Sequence, residues 1–251
     1  MKVLTGFFMA WSNFLALPCP YKKWDEKQKG TMIAFLPSIG IVVGLLWMLL
    51  FYVLVNINMP ILFAAFLMTL YPYRVSGFFH LDGFMDCTDA IMSRRPLEDR
   101  QRILKDSRVG AFAVIAVIML ILGMYSAFVS GGLYADSLAF LVIPVISRGT
   151  AALSVMSFKP IGHSQYAGEY QEDKKIGEKV LVAIQMMVVM VIATFFTTNV
   201  MEIWVIFATV SIVGVFTCLY GKIQLGGFSG DIAGMGLVVS ELAGIITLIF
   251  I

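Results

Sequence analysis

Three aspartates, Asp82, Asp86 and Asp89, stand close together in a chain that is 59% hydrophobic. In a helix, their spacing of four and then three residues places all three carboxylates on one face. Like charges at this spacing repel by roughly 0.2–0.5 kcal/mol per pair, so the arrangement predicts a counter-charge. Carboxylate oxygens are hard ligands that suit Mg²⁺, with Mn²⁺ as the alternative. These three residues, called the Asp stripe, therefore predict a divalent-metal site that handles phosphate.

A basic segment follows the Asp stripe. Pro96 suits the first turn of a new helix, and acidic residues follow it directly. Along that helix we expect Asp99, Arg102 and Asp106 to share one face. Two more basic residues are expected at the flank of this face: Lys105 and Arg108. Alternating acids and bases suit metal–diphosphate chemistry, in which basic side chains neutralise a departing nucleotide phosphate.

Two neighbouring features could serve the same chemistry. His80 is a candidate proton acceptor, and a neutral histidine hydrogen-bonded near the membrane surface is the alternative. The glycine-rich turn 226–231 presents backbone N–H groups that would receive phosphate, and it would bring Asp231 beside a metal. Capping of the last helix by Ser229 or Asp231 is the alternative for this turn.

Charges in or near apolar runs have two interpretations as well. Arg148 is the basic residue deep in an apolar run, and Glu241 is its acidic analogue in the last run. Charged residues within a membrane face the interior of a bundle or a polar cavity. Arg148 is therefore predicted either to form an ion pair with Glu241 or to bind substrate. For the loop arginines, anchoring at the membrane surface is favoured over catalysis: Arg94, Arg95 and Arg100.

The composition predicts an all-α, polytopic transmembrane bundle. Only 14% of the residues are charged, against about 25% in soluble domains. Runs of about 20 apolar residues span a bilayer, and six occur, at 31–55, 111–130, 136–157, 180–200, 202–221 and 232–251. The run 60–73 is shorter, and reaches the length of a span only if its helix continues past Arg74. Residues 1–18 are too short to span and are predicted to form an interfacial helix.

The basic residues predict the topology. All 18 of them except Arg148 fall in alternate loops, and such residues face the cytoplasm. A seven-span model therefore fits, with a cytoplasmic N-terminus and the Asp stripe facing the cytoplasm, in an inner membrane. In a six-span model the run 60–73 does not cross, and residues 1–30 and 74–110 fall on opposite sides.

One membrane domain, 1–251, is the simplest organisation, with a catalytic cytoplasmic segment at about 74–110. The net charge of +2 says little about partners. We expect the binding partners to be small-molecule substrates and membrane lipid, and we expect no nucleic acid. The sequence is compatible with a homo-oligomer. The cysteines show neither disulfide nor zinc spacing: Cys19, Cys87 and Cys218.

Four motifs together resemble the cobalamin synthase family, also called adenosylcobinamide-GDP ribazoletransferases. They occur in the expected order over nearly the whole chain: Leu36-Pro37 followed by Gly40 and Gly44, His80-Leu81-Asp82-Gly83-x-x-Asp86-x-x-Asp89-Ala90, Leu104-Lys105-Asp106-Ser107-Arg108-x-Gly110, and Gly226-Gly227-x-x-Gly230-Asp231. The resemblance implies a membrane enzyme that uses Mg²⁺. Its reaction would join adenosylcobinamide-GDP to α-ribazole or its 5′-phosphate, giving adenosylcobalamin or its 5′-phosphate and GMP.

The resemblance also implies roles for single residues. Asp106 would join the Asp stripe as a metal ligand. A ribose hydroxyl would attack the cobinamide-side phosphorus, and its proton would pass to His80 or to a carboxylate. Lys105 and Arg108 would act on the leaving GMP. The remaining substrate contacts would come from Arg102, Ser107, Gly110, Gly227, Gly230, Asp231 and Arg148.

Two other classes compete with this interpretation. CDP-alcohol phosphotransferases also begin with an Asp-Gly pair, but their Ala-Arg pair and later Asp spacing do not occur here in the usual order. A divalent-cation transporter would stack acids near the middle of the bilayer, whereas here only Glu241 is deep. The sequence leaves open the number of metal ions, the general base, the corrinoid contact surface, the preference between ribazole and its phosphate, and the oligomeric state.

Overall fold

The structure is a computed structural model that describes residues 2–161 and 176–251. Its regular elements confirm the all-α class. In chain order the helices are α1 (Lys2–Phe14), α2 (Lys29–Ala34), α3 (Leu36–Asn56), α4 (Ile61–Val75), α5 (Phe79–Met92), α6 (Leu97–Ile103), α7 (Ala111–Ala127), α8 (Ala139–Ser157), α9 (Ile176–Phe196), α10 (Val200–Leu225) and α11 (Gly230–Thr247). Lys174 and Lys175, two of the basic residues behind the predicted topology, lie outside the described residues.

Six helices of the described ranges are long and apolar enough to cross a membrane: α3, α7 with the π-helical turn Phe128–Gly132, α8, α9, α10 and α11. All six correspond to apolar runs predicted from the sequence. A seventh span exists only if α4 and α5 are counted as one bent pair. At 13 residues, α1 is too short to span.

The helix over residues 60–73 does not continue straight past Arg74. It ends at Val75, and α5 leaves at 89° to α4. Two successive residues with positive φ make the corner, Gly77 at 62° and Phe78 at 61°. Glycine adopts this conformation freely, whereas phenylalanine rarely does, so the corner is a specific feature of the fold. It turns the helix that carries the Asp stripe away from the axis of α4.

Helix α8 is the centre of the bundle. In its most apolar window 89% of the residues are buried, against 33% for α3 and 28% for α9 and α10. Two glycines of α3 pack directly on it: a Cβ at Gly40 would lie 2.7 Å from Val145 Cα, and one at Gly44 would lie 2.7 Å from Leu141 Cα. Because any side chain would separate the two backbones, these small residues allow the tight helix packing common in membranes.

An ion pair joins the core helices. The Nη1 of Arg148 on α8 lies 2.7 Å from Glu241 Oε1 on α11, and the side chains are 0% and 2% exposed. Arg148 also donates to the hydroxyl of Ser76 at the α4–α5 corner, at 3.0 Å. Ser147 donates to the same Glu241 oxygen at 3.0 Å. The pair predicted as one alternative for Arg148 is therefore present, and it ties α8, α11 and the corner together.

We predict that Glu241→Ala lowers the free energy of unfolding by about 3–5 kcal/mol, because it leaves a buried guanidinium without its counter-charge. The measurement is equilibrium unfolding in mixed detergent micelles. The double variant Arg148→Met/Glu241→Leu replaces both charges by apolar groups and should recover most of the loss. A double variant as unstable as Glu241→Ala would contradict the ion-pair account.

Candidate functional site

Helix α5 carries the Asp stripe, as predicted. Its second turn packs on the first turn of α11 at Gly83, where a Cβ would lie 2.8 Å from Asp231 Cα. Without a side chain at Gly83, the start of α11 approaches α5 at backbone contact. The sequence motif contained this glycine, but its packing role depends on a residue almost 150 positions away. The contact brings Asp231 to the Asp stripe.

The carboxylates of Asp231 and of the three Asp-stripe residues lie in one region, where α5 meets α11. Asp86 is half-buried, and the acidic groups that act on it most strongly are Asp82, Asp231 and Asp89, in that order. Within the described residues, none of the four ion pairs includes Asp82 or Asp86. In the part of the chain that the structure covers, neither Asp82 nor Asp86 thus has a basic side chain as its ion-pair partner.

The donor set fits Mg²⁺ in chemistry. Among residues 2–161 and 176–251, no three His, Cys, Asp or Glu side chains converge on one metal position. Mg²⁺ does not need such a cage, because it is usually held by one or two carboxylates together with substrate phosphates and water. Asp82 and Asp86, one helical turn apart and near Asp231, provide oxygens of this kind.

Asp89 has a structural task that the spacing did not reveal. Its Oδ2 accepts a hydrogen bond from Gly110 N at 2.5 Å, and its Oδ1 accepts one from Ala113 N at 2.9 Å. Both donors belong to the start of α7, whose first N–H groups have no partner within the helix. A Cβ at Gly110 would lie 2.6 Å from Asp89 Oδ1. The backbone of Gly110 therefore approaches a carboxylate of the protein itself.

The basic segment forms a shorter helix than predicted. Asp99 and Arg102 on α6 do pair, at 2.8 Å. The prediction that Asp106 continues their face is wrong, because α6 ends at Ile103. Asp106 instead accepts the backbone N–H of Arg108 at 3.1 Å, a local bond that competes with helix formation.

Asp106 and Arg108 form a close, exposed pair. The Arg108 guanidinium donates to both carboxylate oxygens, at 2.6 Å from Nη2 to Oδ2 and 3.0 Å from Nε to Oδ1. These hydrogen bonds lower the pKa of Asp106 to about 2, and the same contacts raise the pKa of Arg108. Lys105 and Ser107 are exposed beside the pair. All four side chains are thus near or at the surface.

The glycine-rich turn mainly contacts protein. Gly226 ends α10 with φ of 74°, and the Ser229 side chain caps α11 by accepting from Ile232 N at 3.4 Å. The predicted capping alternative is therefore present. A Cβ at Gly227 would lie 2.9 Å from Ile161 N. Gly230 is the first residue of α11, one position before Asp231.

The structure does not bring His80 or Arg148 to the Asp stripe. His80 is buried, and its ring stacks on Phe14 with centroids 5.9 Å apart. Residues two apart in a helix do not face each other, which separates His80 from Asp82. Arg148 is held in its ion pair with Glu241.

Fold and site together define a multi-spanning helical membrane protein with an acidic site where α5 meets α11. Residues 6–249 match the family described as cobalamin-5-phosphate synthase, and the chain belongs to this family. It is therefore an enzyme of cobalamin biosynthesis.

The relatives support this membership over the full length. An adenosylcobinamide-GDP ribazoletransferase of Clostridium perfringens (strain 13 / Type A) is 38% identical over 245 residues, which cover 96% of this chain and 95% of the relative. One of Clostridium botulinum (strain Alaska E43 / Type E3) is 34% identical over 246 residues, covering 97% and 96%. One of Lachnoclostridium phytofermentans is 32% identical over 250 residues, covering 96% and 92%. No solved structure matches this chain.

We predict that Asp89→Ala lowers the free energy of unfolding by about 1–2 kcal/mol, because it removes both acceptors at the start of α7. Asp89→Asn keeps one acceptor oxygen and should lose less. Asp82→Ala is the matched control, since Asp82 is exposed on the same helix, and it should change stability by less than about 0.5 kcal/mol. Equal effects of Asp89→Ala and Asp82→Ala in detergent unfolding would refute the capping role.

Proposed function

We propose that this chain transfers the adenosylcobinamide-phosphate group from adenosylcobinamide-GDP to α-ribazole or its 5′-phosphate, with release of GMP. The observation that carries this proposal is the acidic site at the α5–α11 contact in a member of the cobalamin-5-phosphate synthase family. The names of the curated relatives support the same substrate and reaction class.

We propose that Asp82 and Asp86 hold Mg²⁺, with Asp231 beside them. When bound, the ion would offset negative charge on the bridging and leaving phosphate oxygens. Asp82 is exposed and Asp86 half-buried, so a diphosphate reaching the open side of α5 would meet both. Asp89 contributes by fixing the start of α7 behind the site, and we assign it a lesser share in metal binding than the spacing predicted.

The leaving nucleotide would lie toward the end of α6 and the segment that follows it. The side chains of Arg102 and Arg108 are 75% and 88% exposed, and each forms an ion pair with one aspartate. Lys105 is exposed as well. Guanidinium and ammonium groups that reach into solvent can turn to a nucleotide phosphate without a large desolvation cost. Asp106 would then act through Arg108, which it orients, and less as a metal ligand.

The proton of the attacking hydroxyl would pass to a carboxylate of the Asp stripe. His80 is an unfavourable acceptor in this arrangement because it is buried and its ring packs against the rings of Phe14 and Phe79. A general base must come within hydrogen-bond reach of the hydroxyl, and Asp82 and Asp86 are accessible from the open side of α5.

The alternatives have less support. The family match favours cobinamide-GDP over a CDP-lipid donor. A cation path would need acids through the middle of the bundle, yet the deep Glu241 is already paired with Arg148. The distribution of basic residues supports an inner-membrane protein whose site faces the cytoplasm.

We predict that Asp82→Ala and Asp86→Ala each lower GMP release by about a hundredfold or more, because each removes a carboxylate that would hold Mg²⁺ at the reacting phosphates. Glu98→Gln is the matched control, as an exposed acid of α6, and should keep normal turnover. All three variants should insert into membranes like the wild type. Normal turnover of both aspartate variants would exclude this site.

We also predict that turnover requires a divalent metal ion and the corrinoid substrate. EDTA should abolish GMP release by purified protein supplied with adenosylcobinamide-GDP and α-ribazole, and added Mg²⁺ should restore it, because the proposed ligands are carboxylate oxygens of the kind that Mg²⁺ prefers. The measurement is GMP by chromatography. Turnover with a CDP-lipid and an alcohol, and none with the corrinoid, would assign the chain to the alternative class.

A further inference from the structure

A polar cavity lies beyond the C-terminal end of the Asp stripe. It has a volume of about 390 Å³ and opens between the end of α5, the start of α6 and the last turns of α10. Its polar lining consists of Arg94, Arg95, Arg100, Tyr220 and Gln224. Met92, which also lines it, is six residues beyond Asp86, about 9 Å along the helix. The cavity, called the arginine pocket, is thus separate from the proposed metal site.

The three arginines carry charge that the described part of the protein does not neutralise. None of them is in an ion pair within residues 2–161 and 176–251. Arg100 Nη1 donates to Gln224 Oε1 at 2.7 Å, which fixes this guanidinium at the wall of the pocket. Its Nε is buried and has no hydrogen-bond partner. A buried donor without a partner is costly, so this position has capacity for an acceptor.

The backbone conformation also places arginine side chains at this pocket. Arg94 has φ of 54°, a left-handed conformation that costs energy in a residue other than glycine. It follows the end of α5 and, with Arg95, turns the chain toward α6. Anchoring at a membrane surface requires only that arginines be near it. A shared cavity is not explained by anchoring alone.

We propose that the arginine pocket binds a phosphate ester. Guanidinium groups match phosphate oxygens in planar, two-point hydrogen bonds. Among the described residues, none that lines the pocket carries a carboxylate that would repel an anion. Tyr220 is 51% exposed near the end of α10, one of the helices long and apolar enough to cross a membrane, so the pocket borders an exposed face of α10. The phosphate can therefore belong to an anionic lipid headgroup or to a nucleotide.

The test measures binding without turnover, so it is independent of the proposed reaction. The full-length protein in detergent is offered dioleoylphosphatidylglycerol, dioleoylphosphatidylcholine and, separately, GMP, and bound molecules are counted by native mass spectrometry. The variant is Arg94→Asn/Arg95→Gln, because asparagine tolerates the left-handed backbone. The control is Lys22→Gln/Lys23→Gln, which removes two exposed charges outside the pocket. Circular dichroism checks that both variants keep the wild-type helix content.

We expect the arginine variant to bind one of the phosphate probes with an affinity at least about tenfold lower than that of the wild type. The lysine control should bind like the wild type. A loss confined to phosphatidylglycerol identifies a lipid headgroup as the ligand, and a loss confined to GMP identifies a nucleotide. Arg94→Lys/Arg95→Lys should retain part of the affinity, since it keeps the charge and loses the planar contacts. The proposal is overturned if the wild type binds neither anionic probe, or if both double variants weaken binding equally.

Discussion

The buried ion pair between Arg148 and Glu241 is the constraint on which the site depends. Two charges within a membrane bundle are tolerable only when each has its partner and its remaining hydrogen bonds. Here that requirement fixes α8 against α11, and the bond from Arg148 to Ser76 fixes the corner between α4 and α5. Because α11 carries Asp231 and α5 carries the Asp stripe, one interaction in the core sets the position of both acidic elements.

Glycines then determine how closely these elements approach. Gly83 lets α5 reach the backbone of Asp231, and Gly110 lets the start of α7 reach Asp89. Gly40 and Gly44 do the same for α3 on the central helix. Close packing within the protein thus explains these four glycines of the motifs. The proposed chemistry uses the aspartates that these contacts bring together.

Much of this architecture was predictable because its physical requirements are local. A span needs a certain length of apolar chain, so all six long runs were found, and the one-turn spacing of Asp82 and Asp86 is visible in any helix. The remainder depends on distant partners or on competition between local bonds. The acceptor role of Asp89 requires knowing where α7 starts. The end of α6 before Asp106 depends on a side-chain bond that competes with the helix. Whether Asp82 and Asp86 bind a metal remains a prediction.

The corner at Gly77 and Phe78 determines how far the aspartates lie from the ends of the spanning helices. A straight helix through α4 and α5 would be about 48 Å long, well beyond the roughly 30 Å of hydrocarbon in a bilayer. Its last turns, with the aspartates, would stand far out in water. The bend of 89° folds that length sideways, so the aspartates stay level with the ends of the spanning helices. The bend therefore places the proposed site where a bulky substrate can reach it along the membrane surface.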